Sequence, residues 1–253
     1  MIKSLLIVGY GSIGKRHAKL ARSLMPKAKI IVLKRKLIKK TKDKIVDKFV
    51  SNLSDAIKFK PEIAIIANPA SYHLSAAFPL IELGIHLLIE KPLSISSKNI
   101  SKLIYKSNLK KSVLMVGYNL RFMQSLIKFR EILKKKIIGK VLSVRSEVGS
   151  YLPKWRPGID YKKSVSARKA LGGGVLLELS HDIDYLFWLF GKVQWVNATL
   201  HKQSKLKIDT EDTALITLGF SDIKNNNKIV ANLNMDFNRH DTTRFCKVIG
   251  EKG

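Results

Sequence analysis

The chain has 253 residues, of which 45% are hydrophobic and 26% are charged, as is ordinary for a soluble globular protein. Its net charge of +28 comes mostly from lysines spread along the whole chain without a nucleic-acid-binding motif, so we expect neither nucleic-acid nor membrane binding. The single cysteine, Cys246, excludes a disulfide framework and a cysteine-based metal site. No apolar run reaches the roughly 20 residues that span a bilayer, and Met1–Gly9 is typical of a strand and not of a signal peptide. We therefore expect a cytoplasmic protein without a metal.

Apolar runs alternate with helical periodicity over the first part of the chain. Continuous apolar runs are typical of strands buried on both faces of a parallel sheet. Strands are expected at Ser4–Val8, Ile30–Leu33, Ile63–Ala67, His86–Ile89 and Val113–Gly117. Helices are expected at Gly14–Met25, from a cap at Ser54 or Asp55 to Lys58, at Ser71–Gly84 with Pro79 as an irregularity, and at Ser96–Asn108. This alternation predicts an α/β domain over residues 1–120, a doubly wound parallel sheet.

The pattern changes after residue 120. A helix is expected at about Phe122–Lys136, a half-buried strand at Val141–Gly149, an irregular polar segment at Tyr151–Ala170, and one helix from the triplet Gly172–Gly174 through Phe190. Alternating strands follow at Val193–Leu200, Thr213–Phe220, Ile229–Phe237 and Arg244–Ile249, with a turn at Asp222–Asn227. Residues 121–253 are therefore predicted to form an α+β domain with a mostly antiparallel sheet.

A glycine-rich loop joins the first strand to the first helix, with the sequence Gly9-Tyr10-Gly11-Ser12-Ile13-Gly14. In this strand–loop–helix setting the pattern is the dinucleotide fingerprint of a Rossmann domain. Gly9 permits the tight turn, Gly11 lets a pyrophosphate approach the backbone, and Gly14 lets the helix pack on the strand. Ser12 and Ile13 place free backbone N–H groups at the helix N-terminus, which attracts anions. A glycine-rich turn without a ligand is the alternative.

The residues after the second strand bear on the choice of cofactor. NAD-binding domains usually place a carboxylate there to hold the ribose hydroxyls, but this chain has Lys34, Arg35 and Lys36. An arginine at this place often accommodates the 2′-phosphate of NADP. We therefore favour NADP over NAD, against the alternative that any stretch of this chain is rich in lysine.

Several further motifs follow in a fixed order. Asn68-Pro69-Ala70-Ser71-Tyr72-His73 and Glu90-Lys91-Pro92 each follow a predicted strand, at the sheet edge where open α/β sheets bind ligands. Gly117-Tyr118-Asn119-Leu120-Arg121-Phe122, the glycine triplet and His181-Asp182-Ile183-Asp184 come after them. Taken together, these motifs resemble the Gfo/Idh/MocA family of sugar-type oxidoreductases, the relatives of glucose–fructose oxidoreductase and inositol dehydrogenase. The resemblance covers essentially the whole chain.

The resemblance implies roles for particular residues. Lys91 would lie beside the nicotinamide and the reacting carbon, and His181 would donate or accept the proton. Elementary chemistry agrees, because a histidine exchanges protons near neutral pH and a lysine ammonium stabilises charge on oxygen. Many family members carry an aspartate four residues before the histidine; here that position is Leu177, and Glu178 is the candidate substitute. We expect Glu178, His181 and Tyr185 to share one helix face. A surface lysine and a core histidine remain the alternatives.

Two sets of binding residues complete the prediction. The expected cofactor residues are Gly9, Gly11, Ser12, Ile13, Gly14, Lys34, Arg35, Asn68, Pro69, His73, Glu90 and Lys91. The expected substrate residues are Arg121, Trp155, Arg156, Tyr161, Arg168 and Asp184, although Arg156, Tyr161 and Arg168 could equally form a solvated loop, and Asp184 a structural hydrogen-bond partner.

The predicted function is hydride transfer between NAD(P) and a sugar, a sugar nucleotide or a polyol. A dinucleotide-binding sensor without catalysis and a basic nucleic-acid-associated protein remain alternatives. In the resembled family the last segment leads into more strands, so a shortened or degenerate member, or a fragment, is a further alternative. Family members commonly pair through the C-terminal sheet, which makes a homo-oligomer plausible.

Overall fold

The computed structural model describes residues 2–35, 43–222 and 227–253, and in it the chain divides into two compact units. The N-terminal unit ends at Gly117, and the C-terminal unit runs from Tyr118 to Gly253. Lys36 lies outside the described residues, as does the predicted turn apart from its two ends, Asp222 and Asn227.

The N-terminal unit is built on a parallel sheet. Its strands are β1 (Ser4–Val8), β2 (Lys29–Leu33), β3 (Lys48–Val50), β4 (Ile63–Ile66), β5 (His86–Ile89) and β6 (Leu114–Val116). Its helices are α1 (Ser12–Leu24), α2 (Leu53–Ile57), α3 (His73–Glu82) and α4 (Ile100–Leu109). The described strands pair in the order β3-β2-β1-β4-β5-β6, all parallel, which is the Rossmann order. The predicted doubly wound sheet is confirmed.

Strand β1 lies at the centre of this sheet, between β2 and β4. Its residues Leu5 to Val8 are all at most 4% exposed, because helices cover both faces of a doubly wound sheet. The chain leaves β1 toward β2 on one side, and later continues through β4 on the other. The loop after β1 therefore opens at the point where the strand order reverses, which is where such sheets bind ligands.

The local predictions for this unit need four corrections. Strand β3 was missed, because Lys48-Phe49-Val50 is too short to show a period. Asn52, and not Ser54 or Asp55, caps α2, through its side-chain oxygen and the N–H of Asp55. A 3₁₀ turn at Ala70–Tyr72 precedes α3, and α4 begins only at Ile100.

The C-terminal unit carries a mixed sheet with helices on one face. Its elements are α5 (Gln124–Lys134), β7 (Val141–Gly149), α6 (Val175–Glu178), α7 (His181–Phe190), β8 (Val193–His201), β9 (Thr213–Asp222), β10 (Asn227–Asp236) and β11 (Thr243–Gly250). The strand order among the described residues is β11-β7-β10-β9-β8, antiparallel except between β7 and β10. The predicted mostly antiparallel sheet is confirmed.

The two faces of this sheet differ in burial. Alternate residues of β9 and β10 form the core, which comprises Ala214, Ile216, Leu218, Phe220, Ile229, Ala231, Leu233 and Met235. On the opposite face, apolar side chains remain between 41% and 48% exposed, namely Trp195, Leu215, Val230 and Phe245. Period-2 alternation places the two sets on opposite faces.

The prediction of one helix through Phe190 is wrong, because the helix breaks at Leu179 and Ser180. The start of α6 is held by Glu211, whose carboxylate accepts from the N–H of Leu176, whereas α7 is held separately by Asp182, whose carboxylate accepts from Arg244 of β11. The predicted common face is therefore wrong for Glu178, whereas His181 and Tyr185 both lie on α7, four residues apart.

Glu178 ends α6 and His181 begins α7, so the two residues belong to different helices. The Tyr185 hydroxyl lies 2.5 Å from Ser146 Oγ of β7, within the core.

Candidate functional site

The glycine loop after β1 has the geometry that its fingerprint requires. Gly9 has φ +95°, and a Cβ there would lie 2.7 Å from the backbone nitrogen of Asn68. A Cβ on Gly14 would lie 2.1 Å from the carbonyl oxygen of Gly9, so helix and loop touch directly. Gly11, in contrast, faces open space: a Cβ there would meet nothing within 4 Å. Two glycines thus close the turn, and the third leaves room beside the backbone.

The N-terminus of α1 is open to an anion. Gly11, Ser12 and Ile13 are exposed, and no described side chain caps the first turn of this helix. Free N–H groups and the positive end of the helix dipole therefore face the space beside Gly11. This cradle fits the pyrophosphate of a dinucleotide.

The end of β2 carries the residues that bear on cofactor choice. Lys34 is half-buried and Arg35 is exposed. A carboxylate lies beside the glycine loop instead: the Tyr10 hydroxyl donates to Asp43 at 2.7 Å, and the N–H of Ile45 donates to the other oxygen at 3.1 Å. These two bonds hold the pKa of Asp43 below its usual value. Sequence reasoning missed Asp43, because the segment that separates it from β2 gives no local signal.

The loop after β4 contains Asn68, Pro69 and His73. Asn68 Oδ1 is shielded and has no hydrogen-bond partner among the described residues, so it offers an acceptor to a ligand. His73 is only 1% exposed, and its ring nitrogens lie 2.9 Å from the carbonyl oxygens of Pro92 and Asn68. Burial lowers the pKa of His73. The ring of His73 therefore lies inside the unit, where it joins two loops.

The loop after β5 contains Glu90 and Lys91. Glu90 Oε1 lies 2.6 Å from His17 Nε2 of α1, and its second oxygen accepts from the N–H of Lys91 at 3.3 Å. Burial alone would raise the pKa of Glu90, but the hydrogen bond and charge of His17 outweigh it and hold the pKa below the usual value. Lys91 is half-buried. Sequence reasoning missed this contact, because the two residues are 73 positions apart.

Three predicted site residues of the C-terminal unit, together with Tyr118, lie near the start of α7. Asp184 accepts two hydrogen bonds from Arg121, at 2.8 and 2.6 Å, which is the bidentate geometry of a strong ion pair. The rings of Tyr118 and His181 meet edge to face, with centroids 5.7 Å apart. Burial raises the pKa of Tyr118. The structure thus brings Arg121, His181 and Asp184 onto one end of α7.

The irregular segment that follows β7 forms a small pocket. Trp155, Arg156 and Tyr161 line it, together with Leu152, Pro153, Ile159, Ser164 and Ser166. The Trp155 Nε1–H donates to the Ser150 carbonyl at 3.1 Å, and the Tyr161 hydroxyl accepts from the N–H of Lys207 at 3.2 Å. Arg168 is exposed and does not line this pocket.

No group of three or more His, Cys, Asp or Glu side chains in the described ranges could hold a metal ion. Among the helices of those same ranges, none is both long and apolar enough to cross a membrane.

The chain is similar to several known proteins. Levoglucosan dehydrogenase of Pseudarthrobacter phenanthrenivorans is 29% identical over 77% of this chain and 53% of its own length. Myo-inositol 2-dehydrogenase of Thermotoga maritima is 23% identical over 85% of this chain and 64% of its own length. The WlbA dehydrogenase of Bordetella pertussis, solved with NADH and UDP-GlcNAcA, superposes with a TM-score of 0.85 at 20% identity, over 99% of this chain and 72% of that one. That last likeness supports the fold.

The chain spans between a half and two thirds of the length of these two curated relatives. Family models match both units. Residues 3–118 match an oxidoreductase family described as an NAD-binding Rossmann fold, and residues 126–253 match the GFO/IDH/MocA C-terminal domain. The chain therefore belongs to the Gfo/Idh/MocA family.

Proposed function

We propose that this protein is an NAD(P)-dependent oxidoreductase that transfers a hydride to or from a CH–OH group of a sugar, a sugar nucleotide or a polyol. The observation that carries the proposal is the open cradle at Gly11, which lies at the strand-order reversal and beside the uncapped start of α1. Named relatives act on levoglucosan and myo-inositol, both polyhydroxylated rings. Residues 1–120 would bind the cofactor, and residues 121–253 would bind the substrate.

The cofactor residues fall into two groups. Gly9, Gly11, Ser12, Ile13 and Gly14 would hold the pyrophosphate, and Asn68, Pro69, Glu90 and Lys91 follow strand ends on the same edge of the sheet. His73 would act from behind these loops, because it is only 1% exposed. When bound, the nicotinamide supplies or accepts the hydride.

Side chains would transfer the substrate's hydroxyl proton and stabilise the negative charge on its oxygen. Lys91 would donate a hydrogen bond to the substrate oxygen and stabilise negative charge on it. His181 would take the hydroxyl proton on oxidation and return it on reduction. Glu178 would replace the aspartate of other family members. Arg121 and Asp184 would hold substrate hydroxyls from the start of α7, and Trp155, Arg156, Tyr161 and Arg168 would bind the rest of the substrate.

We favour NADP(H) because Arg35 is exposed at the end of β2 and Asp43 is already engaged by Tyr10. An exposed guanidinium at this place suits a 2′-phosphate. Isothermal titration calorimetry with NADPH and with NADH, at the same moderate salt concentration, tests this preference. If NADH binds more tightly than NADPH, the proposed enzymatic function stands and the proposed role of Lys34 and Arg35 is overturned. Binding of neither cofactor would overturn the proposed function.

Catalysis is tested with levoglucosan, myo-inositol and UDP-GlcNAcA as substrates and nicotinamide absorbance as the readout. In Lys91→Ala, turnover is expected to fall by about 10²- to 10⁴-fold with cofactor affinity nearly unchanged, because Lys91 acts mainly on the reacting oxygen. The matched control is Lys98→Ala, because Lys98 is an exposed lysine that lies, like Lys91, between β5 and α4. Cofactor binding without turnover of any substrate would favour a non-catalytic sensor, and normal turnover by Lys91→Ala would overturn the assignment of Lys91.

We also propose a homo-oligomer that pairs through the open face of the C-terminal sheet. Trp195, Leu215, Val230 and Phe245 expose apolar surface there, and burying such surface stabilises an interface. Light scattering of Leu215→Lys should show a smaller species than the unaltered protein; an unchanged mass would reject this face. The single cysteine supports a reducing compartment, and we propose the cytoplasm.

A further inference from the structure

Lys91 stands between two residues that are each held by a histidine from a different helix. Its predecessor Glu90 is bound by His17 of α1, with 2.6 Å between Oε1 and Nε2. Its successor Pro92 is bound through its carbonyl oxygen by His73 of α3, with 2.9 Å to Nδ1. The backbone of Lys91 is thus held on both sides.

The contact between His17 and Glu90 connects α1, the helix after the glycine loop, with the backbone of Lys91. His17 lies on the first turns of α1, directly after the loop that ends at Gly14, and the side chains of His17 and Glu90 are only 19% and 20% exposed. The second Glu90 oxygen accepts from the N–H of Lys91 at 3.3 Å. The carboxylate therefore links the first helix to the Lys91 backbone.

The contact of His73 joins two loops. Its Nδ1 faces the Pro92 carbonyl and its Nε2 faces the Asn68 carbonyl, each at 2.9 Å. Carbonyl oxygens only accept, so a protonated ring donates to both and a neutral ring to one of them. At 1% exposure no water competes for either nitrogen, and the ring fixes the spacing between the loops after β4 and β5.

We propose that His17 and His73 are positioning residues that together set the placement of Lys91. Neither would touch the substrate: His17 acts through the Glu90 carboxylate, and His73 acts through the Pro92 carbonyl. The proposal rests on the proposed function only in the clause that Lys91 is catalytic, because the placement of Lys91 can be measured without turnover.

The two histidines use different ring nitrogens toward Lys91, and this makes a crossed test. A glutamine amide nitrogen takes roughly the place of Nε2, and an asparagine amide nitrogen that of Nδ1. At position 17, Gln keeps the bond to Glu90 and Asn loses it. At position 73, Asn keeps the bond to Pro92, whereas Gln keeps only the bond to Asn68. The four variants are His17→Gln, His17→Asn, His73→Asn and His73→Gln.

The readout is the rate at which acetic anhydride modifies Lys91, measured by peptide mass spectrometry on the full chain. Exposed Lys98 is the internal reference. His17→Asn and His73→Gln are expected to change the Lys91 to Lys98 ratio by about fivefold or more, the scale of one lost hydrogen bond, while the other two variants stay close to the unaltered protein.

Equal behaviour of Asn and Gln at both positions would overturn the proposal, because a merely structural histidine would respond only to loss of stability. If one variant does not fold, the pair at the other position decides. Normal turnover by Lys91→Ala together with the crossed labelling pattern would remove the catalytic role of Lys91 and leave its positioning intact. Loss of turnover by Lys91→Ala with unchanged labelling in all four variants would keep the catalytic role of Lys91 and overturn the positioning role of His17 and His73.

Discussion

The two units hold their candidate functional residues by different means. In the N-terminal unit the site is made largely of backbone: three glycines, the uncapped start of α1 and the loops at strand ends. In the C-terminal unit the start of α7 is held by charged side chains, with Arg121 on Asp184 and Arg244 on Asp182. Backbone cradles suit a group that many enzymes share, such as a pyrophosphate, whereas side-chain pairs can be exchanged to suit different substrates.

The largest expected effect tests the backbone part of this comparison. In Gly14→Ala, the new Cβ would lie 2.1 Å from the Gly9 carbonyl oxygen, so the loop must move. We expect a loss of about 2 kcal/mol in the free energy of unfolding, as for other overpacked sites, together with loss of cofactor binding. Gly11→Ala is the matched variant, because its Cβ meets nothing within 4 Å. It should keep its stability and bind NADPH and NADH more weakly. Denaturant unfolding and calorimetry separate the two variants, and equal stability loss would refute the distinction.

The next effect tests the charged pairs of the C-terminal unit. Asp182 is fully buried, and Arg244 is its partner at 3.1 Å. Arg244→Met removes that partner, and we expect a loss of about 1.5 kcal/mol, because Arg244 is itself 39% exposed and water partly screens the pair. The double variant Arg244→Met with Asp182→Leu should recover much of this loss, because no buried carboxylate remains. All three tryptophans, Trp155, Trp188 and Trp195, belong to this unit, so their fluorescence reports its unfolding. A double variant no more stable than Arg244→Met would contradict this account.

The sequence predicts most of what depends on local pattern. The run Ser4–Val8 is apolar throughout, and the glycine loop that follows has a fixed spacing, so strand, loop and helix were all predictable. The break between α6 and α7 was not, because helical periodicity continues through Leu179 and Ser180 and the contacts that hold the two helices come from distant parts of the chain. The contacts of Tyr10 with Asp43 and of His17 with Glu90 join residues 33 and 73 positions apart, and no local pattern encodes them.

A smaller effect is the dependence of stability on pH, whose sign should differ between the two units. Burial lowers the pKa of His73, so its contribution to stability is present above the unfolded value of 6.5 and is lost as the pH falls from there through the lowered folded pKa. Burial raises the pKa of Asp182, so its contribution is present below the unfolded value of 3.8 and is lost as the pH rises through the raised folded pKa.

Between about pH 7.5 and about pH 5.5, the N-terminal unit should therefore lose stability, and the loss should be smaller in His73→Asn. Hydrogen exchange of peptides from β4 and β5 follows this unit, and tryptophan fluorescence follows the other. The same pH slope in His73→Asn as in the unaltered protein would show that His73 is not the group responsible.

The smallest effect concerns Asp43, a charged side chain beside the glycine loop of the N-terminal unit. Tyr10→Phe removes the hydroxyl that donates to Asp43 at 2.7 Å and leaves the ring edge against Phe49. We expect a loss of about 1 kcal/mol in stability, the usual scale of one hydrogen bond. The freed carboxylate should also repel a 2′-phosphate, so the ratio of NADPH to NADH affinity should fall a few-fold. An unchanged ratio with reduced stability would mean that Asp43 only stabilises the loop, and that cofactor choice in this unit rests on Lys34 and Arg35.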